Sequence, residues 1–238
     1  MSSPCPNCGT ENQPGSRFCG SCGTALGGGE AAPPPSRADG AGAERRFITA
    51  LFADLVGFTS MTESSDAEDV RSMLTVYFER ARAVIERFGG EVDKFIGDAI
   101  TAFWGTTVAN EDDAERAVRA GLELVDVVSA LSDELGAELS VRVGLLSGET
   151  AVGEGGNQQG LVIGDIVNTA ARIQSAAEPD TVYVGESTQR LTSDAFVYRA
   201  ADAIDAKGKS EPVAVWEAAA VVGQRGGGGR WATIEPPF

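Results

Sequence analysis

Lys94 and Asp98 stand in GEVDKFIGDAITAFWG (90–105), two apolar runs joined at a Gly-Asp turn. A hairpin needs neither charge, since Thr and Asn would serve its strand and turn. Another carboxylate, Asp54, ends the β-branched, apolar run RRFITALFADL (45–55), which reads as a buried strand. If these strands are neighbours, Asp54 and Asp98 project over one sheet edge. Two carboxylates hold Mg²⁺ poorly alone but well when triphosphate oxygens complete the ligand set. Taken singly, Asp54 reads equally well as a helix N-cap and Asp98 as a turn former. Farther on, Asn168 and Arg172 fall on one face of the helix expected over GDIVNTAARIQSAA, a spacing that a surface polar pair would also satisfy.

The four cysteines, Cys5, Cys8, Cys19 and Cys22, form two C-x2-C pairs separated by ten residues. Each pair places two thiolates on a tight turn, and Gly9 and Gly23 follow the pairs. Four converging sulfurs suit tetrahedral Zn²⁺ at about 2.3 Å per bond. A segment this short cannot bury a core, so the metal supplies its folding energy. The segment resembles the short zinc ribbons that precede many bacterial multidomain proteins. It has few basic residues, which favours a protein contact over DNA.

Composition narrows the remaining chemistry. There is no histidine among the 238 residues, which removes Ser-His-Asp and Cys-His catalysis and every His-ligated metal. The net charge of −16, from 19 basic and 35 acidic residues, argues against nucleic-acid and anionic-membrane partners. No apolar run approaches the roughly 18 residues of a membrane span, and the N-terminus lacks the pattern of a signal peptide. A cytoplasmic protein is expected.

The elements that must position these groups follow from periodicity. Residues 1–26 form the ribbon, and the Gly/Pro/Ala-rich stretch 27–44 is a flexible linker. One domain covers 45–219, and 220–238 is a Gly-rich tail or linker, read as the front of a longer architecture or a tail that docks elsewhere. Within the domain, Val70, Leu74, Tyr77, Phe78, Ala81, Val84, Ile85 and Phe88 recur at helical spacing between an N-cap at Asp66 and a stop at Gly89. After the hairpin, NEDDAERAVRAGLELVDVVSALSDEL reads as a second amphipathic helix, with Glu111, Asp112 and Asp113 as a charged first turn. ELSVRVGLLSGETAVG reads as strand, turn, strand; DTVYVG and EPVAVWEA are further strands. The order β-α-β-β-α-β plus additions implies an α+β, ferredoxin-like core.

FADLVGFTS (52–60), VDKFIGDAITAFWG (92–105) and VIGDIVNTAARI (162–173), in this order, resemble the class III nucleotidyl cyclases. AKGKSEPVAVWE (206–217) is similar to the end of that domain. The resemblance implies conversion of ATP or GTP to a 3′,5′-cyclic nucleotide and pyrophosphate. It implies Asp54, Asp98 and the backbone carbonyl of Leu55 as ligands of two Mg²⁺ or Mn²⁺ ions per site. Gly57, with Phe58 and Thr59, lets backbone N–H groups approach the phosphates. By the same resemblance, Asn168 orients the ribose, Arg172 stabilises charge on the transferring phosphate, and Lys207 or Lys209 contacts the triphosphate. Lys94 takes the purine-reading position; an ammonium donates to N1 of adenine, whereas guanine carries N1–H, so Lys94 points to ATP.

Two positions depart from the family pattern. Leu161 replaces the Asp or Thr that accepts from the 6-amino group, and Glu149 stands where some members carry a phosphate-binding Arg. The resemblance also implies a homodimer. Asp54 and Asp98 of one chain then meet Lys94, Asn168 and Arg172 of its partner across a two-fold axis. The leading expectation is an ATP-cyclising homodimer. The alternatives are a nucleotide-sensing regulatory domain that binds ATP without turnover and controls a downstream domain, and a zinc-ribbon adaptor with a dimerising domain.

Overall fold

The computed structural model describes residues 3–4, 10–12, 44–58, 62, 66–154, 160–205 and 211–222. The chain divides into two units, Met1–Gly40 and Ala41–Phe238. In the first, β1 (Ser3–Pro4) pairs antiparallel with β2 (Glu11–Asn12).

The second unit is built on β3 (Glu44–Val56), a 13-residue strand whose alternate side chains face two different layers. Leu51, Ala53 and Leu55 face one layer, and Ile48 and Ala50 face the other. After β3 come α1 (Ala67–Arg87), the hairpin β4 (Glu91–Ile96) and β5 (Ala99–Trp104), α2 (Asp113–Leu135) and β6 (Ser140–Glu154). Next are β7 (Gly160–Ile163), α3 (Asp165–Ala176), β8 (Thr181–Gly185), α4 (Glu186–Thr192), β9 (Phe196–Ile204) and β10 (Val213–Val221). The sheet order is β4-β5-β3-β6-β8-β10-β9, with β7 on β6, and only β6–β8 is parallel. The first four strands of that order and α1 and α2 make the expected ferredoxin-like α+β core.

The main core lies between the sheet and α1 with α2. Tyr77, Ala81 and Ile85 from α1 and Ala117, Val118 and Leu124 from α2 meet Leu51, Trp104, Val143 and Val184. Asp66 caps α1, accepting from Glu68 N at 2.8 Å, and Gly89 ends it with φ +77°. Met73, not among the expected core positions, is also buried on α1, whereas Val70, Leu74, Phe78 and Phe88 are half-buried. Trp104 donates Nε1–H to Phe88 O at 2.9 Å, tying the hairpin to the end of α1.

One expectation is corrected. ELSVRVGLLSGETAVG is not two strands but the single 15-residue β6, paired with β3 from Glu44↔Val152 to Val56↔Ser140. The Ser147 hydroxyl inside the expected turn is buried, bonded to Thr49 Oγ1 at 2.8 Å and Thr188 Oγ1 at 3.0 Å. A continuous ladder and satisfied hydroxyls outweigh the turn propensity of Ser-Gly. Asp113 opens α2 as part of the expected acidic first turn, and it is buried there, accepting from Asn110 N at 2.8 Å and from Arg116. The helix α4 and strand β9 fill a stretch that the sequence pattern left unassigned.

Candidate active site

The β3–β5 ladder closes at Ala53↔Ile100. Asp54 therefore stands one residue past the last pair, beside the hairpin tip Gly97–Asp98. Gly97 turns the tip with φ +63°, a conformation that favours glycine. The two carboxyl groups lie close enough to interact. Burial pushes the Asp54 carboxyl up to about 6, the charge and hydrogen bond of Asp98 push it the same way, and Arg142 opposes them.

Arg142 lies directly across from Asp54 in the β3–β6 register. Its Nε is buried without a hydrogen-bond partner among the described residues. Two neighbouring acids beside a guanidinium whose Nε lacks a partner among the described residues make a site with groups for both cations and anions. The two carboxylates offer the hard oxygen donors that suit Mg²⁺ or Mn²⁺. Among the described residues no third carboxylate or thiol joins them, so a bound metal would complete its ligand set with backbone carbonyls, substrate or water. Arg142 was missed in the sequence. Its signal was the alternation in SVRVGLL, which sets Arg142 between two core valines and on the opposite face.

Lys94 lies on the site face, next to a β-bulge. Val92 pairs with Ala102 and Lys94 with Thr101, so Asp93 and Lys94 together fill one step of the ladder. Val92 and Phe95 both pack on the main core, a spacing of three that plain alternation forbids. Thr101 is opposite Phe52, on the side of the sheet that bears Asp54. Lys94 Nζ lies 3.1 Å from Asp93 Oδ2.

That same side of the sheet carries α3. Ile166 and Ala170 pack on Ile48, Ala50 and Phe103. Asn168 is exposed on α3 and Arg172 is half-buried. The helix comes so close to β6 that a Cβ on Gly144 would lie 2.2 Å from Gln174 N. Leu55 is buried in the main core, Gly57 turns the chain with φ +75°, and Phe58 packs against that core. The backbone of Leu161 lies on β7 opposite Gly153. Glu149 is exposed, with Arg45 3.8 Å away. Thr59, Lys207, Lys209 and the four cysteines Cys5, Cys8, Cys19 and Cys22 lie outside the described residues.

Comparison with known proteins matches residues 43–217 to the adenylate and guanylate cyclase catalytic domain. Residues 5–26 match a zinc-ribbon domain. Adenylate cyclase 1 of Rhizobium meliloti is 29% identical over 192 residues, covering 77% of this chain and 29% of that protein. An adenylate cyclase of Anabaena cylindrica is 29% identical over 191 residues, covering 74% and 37%. The chain thus spans well under half the length of these relatives. Among solved structures, the adenylyl cyclase CyaB from P. aeruginosa superposes with a TM-score of 0.71 at 29% identity, covering 76% of this chain and 96% of the other. The guanylyl cyclase Cya2 gives 0.71 at 32%, covering 76% and 95%. Over the matched 76% of this chain, the fold is equally close to a cyclase named for each purine.

Proposed function

The chain belongs to the adenylate and guanylate cyclase catalytic domain family, and from that premise we propose that it converts ATP to 3′,5′-cyclic AMP and pyrophosphate in a homodimer. The observation that carries this reading is the Asp54–Asp98 pair, two neighbouring carboxyls at a strand end beside Arg142, whose buried Nε lacks a hydrogen-bond partner among the described residues. In the reaction the ribose 3′-oxygen bonds to the α-phosphorus, the bond from that phosphorus to the β-bridging oxygen breaks, and the 3′-hydroxyl loses its proton. Two Mg²⁺ or Mn²⁺ ions would supply activation of that hydroxyl and neutralisation of the leaving pyrophosphate.

The protein's own groups divide the remaining work. Asp54 and Asp98, with the Leu55 carbonyl, hold the cations. Arg142 and Arg172 offer planar guanidinium groups to phosphate oxygens. Asn168 orients the ribose, and the backbone of Gly57, Phe58 and Thr59 approaches the triphosphate, as does Lys207 or Lys209. Lys94 donates to adenine N1. The partner chain contributes Lys94, Asn168 and Arg172 to the site that holds Asp54 and Asp98. Cys5, Cys8, Cys19 and Cys22 bind a structural Zn²⁺, and the ribbon meets a protein partner. No helix among the described residues is long and apolar enough to cross a membrane; we place the protein in the cytoplasm.

Incubating the purified chain with ATP and with GTP, each with Mg²⁺ or Mn²⁺, tests this directly. Cyclic AMP and pyrophosphate should form in equal amounts, faster than cyclic GMP, and Asp54→Ala or Asp98→Ala should abolish both products. Nucleotide binding without turnover would instead favour the sensing domain, a reading that Leu161 supports because leucine accepts nothing from the 6-amino group.

A further inference from the structure

Asp93 is surplus to its strand. Drop it, and Val92, Lys94 and Phe95 would still fall on alternate faces opposite Ala102, Thr101 and Ile100. The extra residue therefore does not deliver Lys94 to the site face. What it adds is a carboxylate with Oδ2 3.1 Å from the Lys94 ammonium. Adjacent residues on a regular strand point to opposite faces, and only the bulge lets these two side chains meet. The pair is unequal: the Asp93 side chain is 19% exposed and that of Lys94 is 56% exposed. The anion is tucked in and the cation stands out.

We propose that Asp93 is a positioning residue for purine selection, anchoring the Lys94 ammonium in one direction. This rests on the reading of Lys94 as the group that meets the purine edge. A lysine head has three N–H donors on a flexible four-carbon stem. One donor held by Asp93 leaves the others aimed at a fixed point. A fixed ammonium favours the bare N1 of adenine and opposes the N1–H of guanine. An unanchored ammonium can swing to guanine O6 and accept either base. Asp93 thus acts through Lys94 and touches no reacting atom.

The test compares kcat and KM for ATP and GTP in the full-length chain carrying Asp93→Asn, Asp93→Glu, Lys94→Ala, or Asp93→Asn with Lys94→Ala. Partly exposed ion pairs couple modestly, so Asp93→Asn should cut the ATP-over-GTP ratio of kcat/KM by about twofold to fivefold, with KM moving more than kcat. Asp93→Glu should recover part of the ratio, and Asp93→Asn should add nothing once Lys94 is alanine. An unchanged ratio in Asp93→Asn, with the ratio lost in Lys94→Ala, overturns the role of Asp93 and leaves the purine reading standing. An unchanged ratio in Lys94→Ala overturns both. An equal loss with and without Lys94 makes Asp93 structural and also overturns the proposal. Should Asp93→Asn not fold, Asp93→Thr, suited to an edge strand, carries the same comparison.

Discussion

Burial of Asp54 beside Asp98 makes the metal-free protein sensitive to pH in an unusual direction. The Asp54 carboxyl ordinarily titrates at 3.8 and here at about 6, so folding favours its protonated form. A raised acid contributes stability that is complete below about pH 4 and lost as pH rises through about 6. In EDTA the melting temperature should therefore fall between about pH 4 and pH 7. Asp54→Asn should flatten that fall while abolishing turnover, and Mg²⁺ with a nucleotide analogue should raise the wild-type melting temperature more at the higher pH. Scanning calorimetry at both pH values checks this, and a flat profile in the unmutated protein would sink it. Asp54 and Asp98 were readable because strand ends and Gly-Asp turns punctuate sequence. Arg142 was not, since a lone charge in a strand shows its partner only once the strand register is known. The bulge at Asp93 was hidden for the same reason: DK between two apolar residues looks like ordinary polarity until the ladder is counted.

Glycine 144 shows how a helix is set into place by what its neighbour lacks. The backbone of α3 at Gln174 occupies the space that any side chain at position 144 would need. Gly144→Ala should cost about 1–3 kcal/mol through overpacking. Because α3 carries Asn168 and Arg172, kcat should fall by an order of magnitude or more, while nucleotide-free secondary structure is kept. Urea midpoints and turnover measured on the same preparation check both parts; full activity would show that the seating of α3 does not matter. Periodicity revealed the three longer helices, since their apolar stripes face one sheet, and missed the seven-residue α4. It failed at LLSGET, where Ser147 and Thr150 are buried in a continuous strand. Turn propensity is local, and the hydroxyl of Thr49 that satisfies Ser147 lies 98 residues away.

Two copies of the chain are required by the proposed site, and this makes a numerical claim. Asp54→Ala and Arg172→Ala chains should each be inactive alone. A mixed dimer has one site with both defects and one with neither. Random pairing makes about half the dimers mixed, so roughly a quarter of normal activity should return on mixing. No recovery, with chain exchange confirmed by labelled subunits, would show that the sites are not shared in this way.

The pairing of β3 with β6 along their length also sets an order of events during synthesis. The ribosome completes the central strand early, yet must add α1, the hairpin and α2 before that strand's long partner exists. Over this interval β3 carries an open edge rich in β-branched and aromatic residues, covered on one side only by the nearer hairpin. Nascent chains that stop before Ser140 should therefore associate edge to edge instead of waiting as soluble intermediates. Translation speed through α2 then decides how long the protein is exposed to that risk.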